Sequence, residues 1–240
     1  MSIYRKIALL LLGAVLLIGS NFVLIPVILH LDVKAFDPIS SGSSGEPLTA
    51  AHYNVRPLYA LVFLLIHPLA LVLGILAIRL MINRFVPHRM QLLRHIFDLL
   101  LNGIYFTSLI RAIFVLYVLF YAENTAAMQE GIRLQGIAFQ FVVMQVSLCL
   151  LLLCSTCYQS RVLPRFVTVI GISTNLIALV TSFFTFDLRF PFALRASLGV
   201  ILITTSLVVI AAYLLLYESA LTAKTVFGEE KGDLHHPSLR

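Results

Sequence analysis

The sequence predicts an all-α fold: a polytopic membrane bundle of six transmembrane helices with both termini cytoplasmic. Three observations predict it. First, 60% of the 240 residues are hydrophobic and only 12% are charged. Water-soluble domains sit near half and a quarter, so lipid must be the solvent for much of this surface. Second, six apolar runs long enough to cross a hydrocarbon core of about 30 Å follow one another, separated by more polar connections. Third, lysine and arginine concentrate in alternate connections, which is how multi-pass proteins encode orientation.

The first run is Ile7–Leu31. Arg5 and Lys6 precede it like the start of a signal peptide, but the run is too long and lacks an A-x-A cleavage pattern, so an uncleaved helix is expected. Gly13, Gly19 and Ser20 allow close packing, Asn21 is polar at depth, and Pro26 is a place for a kink. The connection Asp32–Arg56 contains Ser40-Ser41-Gly42-Ser43-Ser44-Gly45, a flexible composition. No GK[ST] follows, which excludes a P-loop. A mobile loop is expected there, with a lid over an outward cavity as the alternative.

The second run, Pro57–Ile78, carries His67-Pro68 at its centre. Arg79, Arg84, His88, Arg89 and Arg94 follow, interleaved with Phe85, Val86, Met90, Leu92 and Leu93. That mixture predicts a short interfacial amphipathic segment with its cations on lipid headgroups. The third run, Ile96–Ala122, holds Asp98 and Arg111. The connection Glu123–Gln135 leads to the fourth run, Gly136–Tyr158, with Gln140, Gln145 and the three cysteines, Cys149, Cys154 and Cys157. Cysteines inside an apolar run do not form a disulfide framework. The Cys154-x-x-Cys157 pair lacks neighbouring His or acidic ligands, so helix packing rather than zinc or redox chemistry is expected. The short basic connection Gln159–Arg165 contains Pro164. The fifth run is Phe166–Phe186, with Thr174 and Asn175, and the sixth is Ala196–Tyr217, with Thr204-Thr205-Ser206. Residues 1–217 form one membrane domain, and the charged stretch from Glu218 to Arg240 is expected to be a frayed cytoplasmic tail.

Six spans put both termini on one side. The N-terminus, the second and fourth connections and the tail hold eleven lysines and arginines, and the other three connections hold five. The positive-inside rule places the richer side in the cytoplasm. Six acids, Asp32, Asp37, Glu46, Glu123, Glu130 and Asp187, fall in or beside the opposite loops. The net charge of +6 then reads as topology and contact with anionic lipid rather than nucleic-acid binding.

Arg111 is the residue that most needs explaining, because a cation at membrane depth is expensive and usually faces protein or a watery cavity. Measured at about 1.5 Å per residue, His67, Asn21, Gln145, Asn175 and Thr204 fall within roughly a turn of its level. Asp98 is about three turns away and rotated off its face; a local pair with Arg94 suits it better. Three resolutions for Arg111 are open: the oxygens of Gln145 and Asn175, a bound anion or polar molecule, or snorkelling toward lipid, which is strained from mid-membrane. His67 has no acid at its depth to complete a catalytic triad. No HExxH, paired-carboxylate, haem, dinucleotide or ATP pattern is present, so no cofactor is expected and an intramembrane enzyme ranks third.

Two short motifs carry a resemblance. Ser160-Arg161-Val162-Leu163-Pro164-Arg165 looks like the Ser-x-x-Leu-Pro-Arg turn between helices four and five of a family of bacterial six-helix membrane proteins of unknown function. The arginine within Ser108-Leu109-Ile110-Arg111-Ala112 is similar to one in that family's third helix. The resemblance implies the six-helix fold and a bacterial inner membrane, and no activity.

The expected function is therefore that of an integral membrane protein with an outward-facing polar pocket for a small anionic or polar ligand, bound or transported. Arg111, His67, Asn21, Gln145, Asn175 and Thr204 line that pocket. The alternative is a non-catalytic accessory or scaffold subunit of a membrane complex, with a membrane-protein partner, in which the polar layer serves only helix packing.

Overall fold

In hydrocarbon every backbone N–H and C=O must be bonded within the chain, which leaves the helix as the only solution for one apolar run. A computed structural model describes residues 2–31, 57, 60–184 and 192–233 of the chain, with side chains described outside 21–31, 125, 184, 192–197 and 221–233. Six helices among the described residues are long and apolar enough to cross a membrane. They are α1 (Ile3–Leu31), α2 (His67–Phe85, entered through a π-helical turn, Leu61–Ile66), α3 (Gln91–Phe120), α4 (Thr125–Ser160), α5 (Arg165–Phe184) and α6 (Phe192–Asp233). Described connections between them are turns, and the fold is all-α. The Asp32–Arg56 connection, including its serine–glycine run and the lid reading, lies outside the described residues.

Several helix ends correct the sequence reading. α4 starts at Thr125 rather than Gly136, because Asn124 caps it: its side chain accepts from the Ala127 N–H at 2.8 Å. Glu130 and Arg133 then pair along the exposed face at 2.6 and 2.7 Å. Hydropathy detects lipid contact, so it missed a polar helical start. The basic stretch 79–94 is not a separate interfacial element. α2 continues through Arg84, residues 86–90 turn, and α3 begins at Gln91. The backbone beyond Glu218 is helical as far as Asp233. At the other end, Ser2 Oγ accepts from the Arg5 N–H at 3.3 Å and starts α1 ahead of the apolar run.

The π turn has a local cause. Pro68 lacks an N–H, and its ring clashes with the carbonyl four residues back in an α-helix. Widening the preceding turn relieves that clash, and the His67 N–H reaches back five residues to the Val62 carbonyl. The α4–α5 turn is also built locally. Arg161 adopts the left-handed conformation at φ 53°, and the Val162 N–H closes on the Cys157 carbonyl at 3.2 Å, a Schellman-type stop. Buried Leu163 pins the turn to the core.

Helices adjacent in sequence pack side by side, with α2 and α3 the least closely packed of these neighbours, and α6 returns to α1. α3 and α4 run antiparallel, with Gly131 against Tyr117 and Val118 at one end and Gly103 against Gln145 further along. The main core draws on all six helices, with Phe97, Leu101, Ile104, Leu150, Leu153, Ile210 and Leu214 fully buried. A smaller cluster of Val115, Val118, Leu119, Ala122 and Met128 joins the end of α3 to the start of α4 and to Phe63 and Leu64 of the π turn.

One end of the bundle is basic. Arg84 donates to the Tyr4 hydroxyl at 3.0 Å, and Tyr4 packs edge-on to Tyr217 with ring centroids 5.4 Å apart. These contacts gather the start of α1, the end of α2 and α6 at the level of the 86–90 and 161–164 turns. Arg5, Lys6, Arg84, Arg89, Arg94, Arg161 and Arg165 belong to this end, and Glu123 and Glu130 to the other.

Candidate polar site around Arg111

Arg111 is 8% exposed and lies nine residues from the end of α3, about 14 Å along the axis. Its guanidinium reaches two neighbouring elements. Nη2 donates to Nδ1 of His67 at the head of α2. With the Gln135 amide oriented oxygen-inward, that oxygen accepts from Nη2 at 3.0 Å and Nε at 2.9 Å. The planar group lies against two rings, 4.6 Å from the Phe139 centroid and 5.3 Å from that of Phe63, within cation–π range. His67 stacks on Phe139 and meets Phe63 edge-on.

Each partner is placed by a feature already described. The turn forced by Pro68 sets both Phe63 and His67. The early start of α4 makes position 135 helical, and Gln135 and Phe139, four apart, share one face. Because Arg111 donates, His67 must accept through Nδ1, which leaves the ring proton on Nε2. The imidazole is thus a neutral acceptor for the cation. Among the described residues no carboxylate bonds His67, and the acid–base arrangement of a hydrolase is not assembled. Nor do three His, Cys, Asp or Glu side chains among the described residues gather as metal ligands.

Of the residues expected at this level, Arg111 and His67 come together. Gln145 and Asn175 do not join them, which corrects the expectation that these two hold the arginine. Gln145 is ten residues beyond Gln135 on the same helix, about 15 Å further along, and lies against Gly103. Asn175 donates to the Gly171 carbonyl at 2.7 Å and to Ser206 Oγ at 3.0 Å, in a second polar centre between α5 and α6. Cys154 packs there against Gly171. Thr204 returns its hydroxyl to the Val200 and Ile201 carbonyls of its own helix, each at 2.9 Å. The Asn21 side chain lies outside the described residues. Depth counting failed for Gln145 because it placed the start of α4 at Gly136, eleven residues beyond the observed start at Thr125. Gln135 was missed for the same reason: it was read as the last residue of a loop. The signal that could have found it is Asn124 followed three residues later by Ala127, an N-cap ahead of a helix-forming stretch.

Asp98 also departs from its expected place. Arg94 turns away and donates to the Val86 carbonyl at 2.7 Å, while Asp98 lines a cleft with Arg79, Ile82, Asn83 and Leu101.

Comparison with known proteins finds no matching family model, no matching curated protein and no matching solved structure. The resemblance carried by the Leu163-Pro164-Arg165 turn and by Arg111 adds no residue to the site.

Proposed function

We propose that the chain is a non-catalytic accessory or scaffold protein of a membrane complex, in which Arg111 fixes the relative placement of α2, α3 and α4. The observation that carries this reading is the convergence of His67, Gln135, Phe63 and Phe139 on one guanidinium, which ties together α2 and α3, sequence neighbours that otherwise pack little on each other. A buried polar group of this kind specifies one arrangement among the many that apolar helices could adopt in lipid. The proposal places both termini in the cytoplasm, supported by the basic end of the bundle and the positive-inside rule. It treats residues 1–217 as one membrane domain with a cytoplasmic extension. A bacterial inner membrane rests on the resemblance of the two motifs.

The test is Arg111→Gln in the full chain. Loss of assembly with co-purifying membrane proteins, unrestored by any small anion, is the expected result. A second reading, a site for a small anionic or polar ligand, is favoured by the π turn beside His67, since such turns recur at functional sites. Stabilisation of the wild-type chain by a small anion, lost in Arg111→Gln, would establish that reading instead. Orientation is tested separately: cysteines introduced at His88 and at Glu123 should label from opposite sides with a membrane-impermeant maleimide.

A further inference from the structure

A different pair of charges, at the basic end, points to a lipid. Arg79 on α2 and Asp98 on α3 line one cleft of about 290 Å³, together with Asn83, over a floor of Ile82 and Leu101. Both charged side chains are exposed, and among the described residues neither forms an ion pair or hydrogen bond. An arginine and a carboxylate facing each other ordinarily close into a bidentate pair. Here they form no ion pair across the sparsely packed seam between α2 and α3.

Depth decides what kind of ligand suits the seam. Arg79 is six residues from the end of α2, and Asp98 seven from the start of α3, so both lie about 9–11 Å from the turn along their helices. That is the level of the headgroup–acyl boundary for a bundle whose 86–90 turn sits at the membrane surface. The helix faces continue the pattern. Going deeper on α2, the exposed stripe Asn83, Arg79, Leu76, Val72 changes from polar to apolar. On α3, Asp98, Asn102, Tyr105 and Leu109 do the same. Two opposite charges at the mouth and apolar tracks leading inward match a phospholipid rather than a soluble zwitterion.

We propose that this cleft binds a zwitterionic phospholipid with a primary ammonium headgroup. The phosphate meets Arg79 and Asn83, the ammonium meets Asp98, and an acyl chain follows the α2–α3 seam. A primary ammonium donates hydrogen bonds to a carboxylate, and a quaternary choline cannot, so the site distinguishes headgroups.

The experiment uses the full-length chain in detergent, with lipid retention read by native mass spectrometry. Matched-chain phosphatidylethanolamine, phosphatidylcholine and phosphatidylglycerol are compared. Several-fold greater retention of phosphatidylethanolamine than of either other lipid is expected. Asp98→Asn should abolish the preference over phosphatidylcholine, and Arg79→Gln should weaken retention of all three. Equal retention of the ethanolamine and choline lipids, a preference for phosphatidylglycerol, or a preference surviving in Asp98→Asn would overturn the proposal. So would equally strong binding of chain-free phosphoethanolamine. The wild-type comparison stands alone if a variant fails to fold.

Discussion

Arg111 and His67, 44 residues apart in sequence, are joined through Nη2 and Nδ1 across the sparsely packed seam between α2 and α3. This link is made by two groups with fixed geometry, a guanidinium plane and an imidazole edge. It therefore sets the separation and the rotation of the two helices at once.

Substitution of Arg111 tests that role. Arg111→Lys keeps the charge but cannot present a fork to Gln135 and His67 while lying flat between Phe63 and Phe139. It is expected to destabilise the protein by about 1.5–3 kcal/mol, the range for hydrogen bonds to a charged group. Thermal unfolding in detergent measures this. A lysine variant as stable as wild type would remove the geometric argument.

Pro68→Ala removes the cause of the π turn. With an N–H restored at position 68, the ordinary bond to the residue four back becomes available. Phe63 and His67 should then rotate away from Arg111. The expected signature is non-additivity: Arg111→Lys costs less in the Pro68→Ala background than in wild type. Additive losses would mean that the π turn does not position the site.

At Gly131 the backbone of α4 lies close against side chains of α3. A Cβ there would stand 2.5 Å from Val118 Cγ2 and 2.9 Å from Tyr117 Cδ1. Gly131→Ala is therefore expected to cost about 1–3 kcal/mol by overpacking. Val118→Ala in the same chain removes one of the two clashing groups and should recover part of the loss.

Arg161 sits in the left-handed region, where a side chain costs roughly 1 kcal/mol or more and glycine does not pay it. Arg161→Gly should match or exceed wild-type stability, and Arg161→Val should fall below it. Unfolding can be followed by thiol labelling. Cys149, Cys154 and Cys157 are all buried, so in the folded protein they should resist maleimide and react only on denaturation.

The apolar runs were legible because lipid exposure imposes composition directly. What hydropathy could not read was helix that leaves the apolar zone: the first turns of α4, the end of α2 and the later turns of α6. The start of α4 is set by the Asn124 cap and followed by the Glu130–Arg133 pair, and polar residues of this kind barely alter a hydropathy profile. The candidate site inherited the same error. Arg111 and His67 were found because unusual residue types at depth announce themselves. Gln135 was overlooked because it was counted as loop, and Gln145 was recruited in its place. Phe63 and Phe139 carry no sequence signal at all, since an aromatic in an apolar run reads as core until a cation is found beside it.

The short turn at residues 86–90 has a consequence for biosynthesis. α2 and α3 are joined by so little chain that they form one helical hairpin. That hairpin already contains both Arg111 and the imidazole that accepts from it, whereas Gln135 is translated later. Within that one hairpin the cation therefore has an acceptor in reach before the rest of the bundle is made.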